Sequence, residues 1–251
     1  MSGIARAMGL ARSLAIYHMI PGRQGRLRHL YANFVHRGDL VFDVGGHAGN
    51  HARAFAALGC RVVVLEPQPD FARVLRAFFH RAPQVEVIEV AAAATPGRAL
   101  LLLSERTPTV STLVAAWRNA RARDPDFAGV QWNRQVEVEV TTLDRVIERF
   151  GAPMFVKIDV EGSEAAVLEG LSLTVPALSF EYLPSGLDEV RTCVTRLTAL
   201  GPYHFNWSAG QSYQFASEHW LNGPELLATL QAHVAARRQS GDVYARLSPI
   251  R

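Results

Sequence analysis

Short apolar runs recur along this chain, separated by stretches of helical period. The runs at 40–44, 61–66, 84–90, 153–159, 177–182, 203–207 and 243–247 read as strands. Residues 49–58, 69–80, 142–150, 162–170, 186–200 and 223–238 repeat apolar positions at helical spacing. The first five strands are nearly all apolar, as burial of both faces of a parallel sheet requires. Alternation at this spacing predicts an α/β domain, a mainly parallel sheet with helices on both faces. The last two strands flank one connection with its own helix, so they can form an antiparallel pair. Upstream, 4–20 and 23–36 read as helices around Pro21-Gly22, a cap (1–38) on the main domain (39–251). Residues 98–141 interrupt the alternation, with extra strands expected at 98–104 and 135–141 around a segment rich in Arg, Trp and Pro. An insertion of that kind in a compact domain is usually functional or disordered.

Composition narrows the class. The 251 residues are 49% hydrophobic, enough for one large domain with a substantial core. With 26 basic and 23 acidic residues the net charge is +3, which gives no strong bias towards nucleic acid. Two cysteines, Cys60 and Cys193, argue against a disulfide scaffold or a zinc cluster. The N-terminal apolar runs are interrupted by Arg6 and Arg12, unlike a signal peptide, and no stretch is long enough to span a bilayer. A soluble cytoplasmic protein without membrane insertion is expected, with a homodimer left open.

Two segments carry candidate chemistry. In Leu40–Asn50 an apolar strand ends near Asp43, and Gly45, Gly46 and Gly49 form a turn into a helix. Glycine permits positive φ and close approach of a ligand, and a helix N-terminus offers free N–H groups. Glu66 ends the second strand before Pro67, 21 residues after Gly45, a spacing that suits a carboxylate accepting hydrogen bonds from ribose hydroxyls. The turn is not Gly-x-Gly-x-x-Gly, so a nucleoside without pyrophosphate is the expected ligand.

The other segment is Lys157-Ile158-Asp159-Val160-Glu161-Gly162-Ser163-Glu164. Lys157 and Asp159 share one face of the strand, and Glu161 joins them if the strand continues. Lys157 lies in an apolar strand and needs a partner, Asp43 or Asp159. A purely structural ionic network of Lys157, Asp159 and Glu164 is the plainer reading.

These residues resemble the FkbM family of S-adenosylmethionine-dependent methyltransferases. The resemblance lies in FDVGGHAGNH (42–51), VLEPQPDFARVL (64–75), TTLDRV (141–146), GDVYAR (241–246) and above all FVKIDVEGSEAAVLEG (155–170). It implies a class I, Rossmann-like methyltransferase fold with seven strands, the last antiparallel. It implies S-adenosyl-L-methionine as cofactor and O-methylation of a hydroxyl on a sugar, polyketide or other small acceptor. By this resemblance Asp43, Gly45 and Gly49 line the methionine part, Glu66 holds the ribose, and Asp159 lies beside the methionine end. Gly46, His47, Asn50, Pro67 and Ser111 complete the expected cofactor set. His47 stands where a small or aliphatic residue is expected.

An alcohol must lose a proton to accept a methyl group. Base candidates are Glu181 at the end of the fifth strand, Asp159, Glu161, His47 and His51, with Glu181 preferred on the acceptor side. Asp159, Glu161 and Glu181 could also ligate magnesium, but their spacing fits no ligand motif, so no metal is expected. Trp117, Trp132, Tyr182 and Trp207 are either an aromatic acceptor wall or core. The insertion is expected to form part of a lid that brings Ser111 or Thr112 to the cofactor or acceptor. The rival readings are a nicotinamide-dependent oxidoreductase, disfavoured by the glycine spacing, and a non-catalytic binding protein.

Overall fold

The computed structural model describes residues 9–14, 20–124 and 127–248. Of the expected helix over 4–20, residues 9–14 are helical, and most of the rest lies outside the described residues. The second N-terminal helix is shorter than its pattern, α1 (Arg23–Tyr31). Then follow β1 (Leu40–Val44), α2 (Asn50–Ala57), β2 (Arg61–Leu65), α3 (Pro69–Phe78), β3 (Val85–Ile88), β4 (Ala91–Ala92) and β5 (Gly97–Leu103). Beyond them lie α4 (Ala115–Arg121), β6 (Arg134–Thr141), α5 (Leu143–Phe150), β7 (Phe155–Ile158), α6 (Glu164–Glu169), β8 (Ala177–Tyr182), α7 (Leu187–Leu200), β9 (Tyr203–Ala209), α8 (Gly223–Arg237) and β10 (Gly241–Leu247).

Seven strands form one sheet in the order β3-β2-β1-β7-β8-β10-β9. β1 pairs in parallel with β2 and β7, β2 with β3, and β7 with β8. β10 is antiparallel to both β8 and β9. Every residue of β1, β7 and all but one of β8 is buried, which is why their sequences are apolar runs rather than alternations. One face packs Phe42, Val156, Leu178 and Phe180 against α6, α7 and α8. The other packs Val41, Val62, Phe155 and Tyr244 against α1 and α2. Helix ends are set locally: the Thr142 side chain accepts from the Arg145 N–H, and Asn222 with Glu225 forms a capping box.

The cap helix α1 is tied to this second face. Leu27, Leu30 and Tyr31 are buried, and the Tyr31 ring lies 4.0 Å from Phe55 and 5.5 Å from Phe155 between centroids. Burial of each such side chain is worth about 1.5–3 kcal/mol. The two extra strands expected in the insertion are β5 and β6, which pair antiparallel and, with β4 just upstream, form a separate sheet, β4-β6-β5. Among the described residues no helix is long and apolar enough to cross a membrane.

Asp43, Lys157, Glu181 and Asp242 share the parity of Val41, Phe155, Ala177 and Tyr244 on their strands. They therefore extend the α1–α2 face beyond its apolar part, at the carboxyl ends of the parallel strands. Asp242 reaches that rim because β10 runs backwards, which puts its first residues where the parallel strands have their last.

Candidate active site

The glycine turn forms a cleft between the ends of β1, β2 and β7. Gly45 has φ 83° and its added Cβ would fall on the Asp159 carbonyl, so only glycine lets the two strand ends close. The Gly45 and Gly46 N–H groups both donate to the Leu65 carbonyl, at 2.9 and 3.1 Å. Gly49, φ 77°, precedes α2 and abuts Leu75 and Phe79, so it shapes the turn from behind the cleft. Asp43 also lies beneath the lining. Burial pushes its carboxyl up to about 7 against the pull of Lys157, and its Oδ2 has no hydrogen-bond partner among the described residues.

The cleft holds about 820 Å³ including its mouth and is lined by Gly45, Gly46, His47, Asn50, His51, Glu66, Pro67, Ser111, Asp159 and Glu161, among others. Glu66 is fixed in it by two main-chain donors: the His47 N–H at 2.6 Å and the Gln68 N–H at 2.8 Å. Burial pushes this carboxyl up to about 7 in spite of those donors. His47 itself adopts φ 43° and sets its ring 4.2 Å from Phe71. Ser111 arrives from the insertion and donates to the Gln68 side chain at 3.1 Å. Its neighbour Thr112 donates to the Glu161 carbonyl at 2.8 Å, which ties the insertion to the acidic segment.

Lys157 is the centre of the charge arrangement. Its ammonium donates to Asp159 at 3.3 Å and to Asp242 at 2.9 Å, with only 2% of the side chain exposed. Asp242 is the partner that strand reading missed. Burial alone would lower the lysine, but Asp159 and Asp242 hold it well above its ordinary value. Asp43 is its register neighbour on β1 rather than the acid it bonds.

The strand does not run on to Glu161. It stops at Ile158, and Glu161 takes φ 56° in the following turn. The turn nonetheless returns its carboxylate to the site: one oxygen each from Asp159, Glu161 and Glu181 lies within 4.8 Å of the others. Burial and mutual repulsion drive Glu161 and Glu181 well above the ordinary carboxyl range. Glu164 stands apart from that group functionally, since it accepts the Val160 N–H at 3.1 Å and the Gly162 N–H at 3.0 Å and so holds the turn.

Glu181 belongs to a second cavity of about 750 Å³, lined also by Trp117, Arg121, Glu164, Tyr182 and Gly186. Arg121 is anchored there by Asp124 and Ser185, and lies over Trp117 at 5.5 Å. Of the aromatic candidates, Trp117 and Tyr182 line this cavity. Trp132 caps the Val110 carbonyl, and Trp207 is core, 4.5 Å from the His233 ring. Glu161 lines the first cleft and Glu181 the second, so the two cavities meet at the acid cluster.

Comparison with known proteins agrees with this layout. In a crystal structure, the O-methyltransferase from Bacillus cereus in complex with SAH superposes with a TM-score of 0.51 at 14% identity, covering 98% of this chain and 90% of that one. Precorrin-6y C5,15-methyltransferase from Geobacter metallireducens gives a TM-score of 0.45 at 14% identity, over 90% of this chain and 87% of that one. Among curated proteins none matches this sequence. The model of the methyltransferase FkbM domain matches residues 43–205, from the glycine turn through the acid cluster, which removes the oxidoreductase alternative. The residues lining the cleft fit the cofactor of such enzymes: a turn closed to any Cβ, a carboxylate fixed by two main-chain donors, and the buried Asn50 Nδ2, without a partner among the described residues. The chain belongs to the FkbM methyltransferase family, and its cofactor is S-adenosylmethionine.

Proposed function

We propose that this methyltransferase transfers the methyl group to a hydroxyl of a small, hydroxylated acceptor, such as a sugar or secondary metabolite, seated in the second cavity. The observation that carries the reading is the junction of the two cavities at Asp159, Glu161 and Glu181. Bound S-adenosylmethionine supplies a methyl group on a positively charged sulfur, already activated for in-line displacement. The residues must then align the acceptor oxygen and take its proton.

Glu66 holds the ribose hydroxyls, with Pro67 and Ser111 beside it and Gly45 and Gly46 shaping the floor. His47 serves through its main chain, which fixes Glu66. Asp159 is engaged by Lys157 and faces the cofactor, and burial raises its proton affinity against the pull of that lysine. Glu181 has no ion-pair partner among the described residues, and its raised proton affinity suits a general base on the acceptor side. Trp117 offers a face for a sugar ring. The cytoplasm is the compartment we propose, supported by two cysteines that are both free.

Four measurements test this. Glu66→Ala is expected to weaken cofactor binding by about 1.5–3 kcal/mol, the loss of a charged hydrogen-bonding group. An unchanged affinity by calorimetry would remove Glu66 from the site. Turnover with a panel of polyols, glycosides and phenols, followed by release of S-adenosylhomocysteine, identifies the acceptor class. With the best acceptor, Trp117→Ala should raise KM about tenfold, the loss of a stacked aromatic contact, and leave cofactor affinity unchanged. An unchanged KM would place the acceptor elsewhere. Repeating the turnover with a chelator shows whether the acid cluster employs a divalent ion.

A further inference from the structure

The start of α2 is built for an anion. Gly49 precedes it in a left-handed conformation and gives it no side-chain cap. The first residue, Asn50, is 3% exposed, lines the cofactor cleft, and leaves its Nδ2 buried with no hydrogen-bond partner among the described residues. A buried amide N–H without an acceptor is costly unless a ligand supplies one. The helix N-terminus adds its partial positive charge at the same place.

His51 follows and lines the same cleft. Its Nδ1 lies 2.6 Å from the hydroxyl of Tyr31, which α1 brings down onto this face. Tyr31 is 1% exposed, and burial keeps its phenol protonated, with Tyr244 and Asp242 adding to the effect. Its hydroxyl has one hydrogen-bond partner among the described residues, so it places its hydrogen there and donates to Nδ1. Burial, with Lys157 and Arg23 nearby, keeps the imidazole itself neutral. The ring proton of His51 must then sit on Nε2, which becomes a donor. Gln24 of α1 also donates to the Asn50 carbonyl at 3.0 Å and steadies this first turn from outside.

We propose that Asn50 and His51 bind the carboxylate of the cofactor's amino-acid tail, and that Tyr31 of the N-terminal helix is the positioning residue that sets the His51 tautomer. This rests on S-adenosylmethionine as the cofactor. That molecule carries one anionic group, its α-carboxylate. The ribose end of the cleft presents the Glu66 carboxyl, whereas the α2 terminus presents two side-chain donors that attract an anion. The N-terminal helix is thereby part of the cofactor site and not only a cover for the sheet.

Calorimetry on the full chain with two ligands tests the assignment. S-adenosylhomocysteine carries the tail, and methylthioadenosine keeps the adenosine and the sulfur without it. Asn50→Ala and His51→Ala should each weaken S-adenosylhomocysteine about tenfold, as expected for one hydrogen bond to a charged group. Both should leave methylthioadenosine within about twofold, a difference of a few tenths of a kcal/mol. Tyr31→Phe, which keeps the buried ring, should show the same tail-selective loss, and nitrogen NMR of the His51 ring should lose its Nε2–H tautomer. His51→Gln, which retains a side-chain N–H, should recover part of the affinity. Equal losses for both ligands would mean that these residues only hold the fold, and no loss would put the carboxylate elsewhere; either result overturns the proposal. If the unmodified protein binds neither ligand, the cofactor assignment falls and the tail site falls with it.

Discussion

Lys157→Met will cost the fold about 3–5 kcal/mol, read from denaturant midpoints. Methionine fills nearly the same volume, so packing is not the reason. The substitution removes the buried cation between Asp159 and Asp242 and leaves the two acids facing each other without it. Asp242→Asn should cost less, because the amide oxygen still accepts from the ammonium. The lysine's own contribution is insensitive to pH in the neutral range. Its folded pKa is raised, so the stabilisation is complete below the unfolded value near about 10.4 and is lost only as pH climbs through the folded one. Asp43 acts in the opposite direction. Its ordinary value is 3.8 and burial holds it at about 7, so the folded protein keeps a proton that the unfolded chain has released. Stability should therefore fall from about pH 4 to pH 7, and Asp43→Asn should flatten that slope. A Lys157→Met protein as stable as the parent would mean the lysine is retained for the reaction alone.

The parts of the fold set by burial were legible in the chain. β1, β2, β7 and β8 are covered on both faces, so their sequences are apolar runs that read as strands without knowledge of their neighbours. Glu66 was legible for a related reason: strand length and turn length fix its distance from Gly45. Asp242 was not. An antiparallel last strand was expected, but the meeting of Asp242 with Lys157 depends on the register of that strand beside β8, which the residues near 242 do not specify. Tyr31 was hidden in the same way, because the contact with His51 exists only once the N-terminal helix has docked on α2. Glu161 was found by an incorrect route. Strand periodicity gave it the face of Lys157 and Asp159, whereas the strand ends at Ile158 and a left-handed turn returns it to the cluster. The strand read at 84–90 is shorter in the structure, Val85–Ile88, and the next strand, Ala91–Ala92, just beyond that range, joins the small sheet instead. Trp207 illustrates the limit of residue type, since an aromatic suited to an acceptor wall is enclosed in the core.

Glu181→Gln will lower kcat by about 10²–10⁴-fold, the usual contribution of a positioned base, with cofactor affinity unchanged. Three features single this acid out. It stands on the cavity side away from the glycine turn, it lies close to Asp159 and Glu161, and no cation neutralises it directly. Burial, then Glu161 and Asp159, raise its proton affinity, which moves a carboxyl towards the pH at which it can both hold and release a proton. The base must be ionised to act. Turnover should rise with pH through that elevated pKa and then level, and the rise belongs to the coupled Glu161–Glu181 pair rather than to one residue. Glutamine keeps the shape and removes the rise. Asp159→Asn provides the contrast. Asp159 is bonded to Lys157 and faces the cofactor cleft, so its loss should reduce turnover while the dependence on pH persists. If Glu181→Gln keeps both its rate and its acid limb while Asp159→Asn loses the limb, the proton goes to Asp159 and the roles of the two acids are reversed.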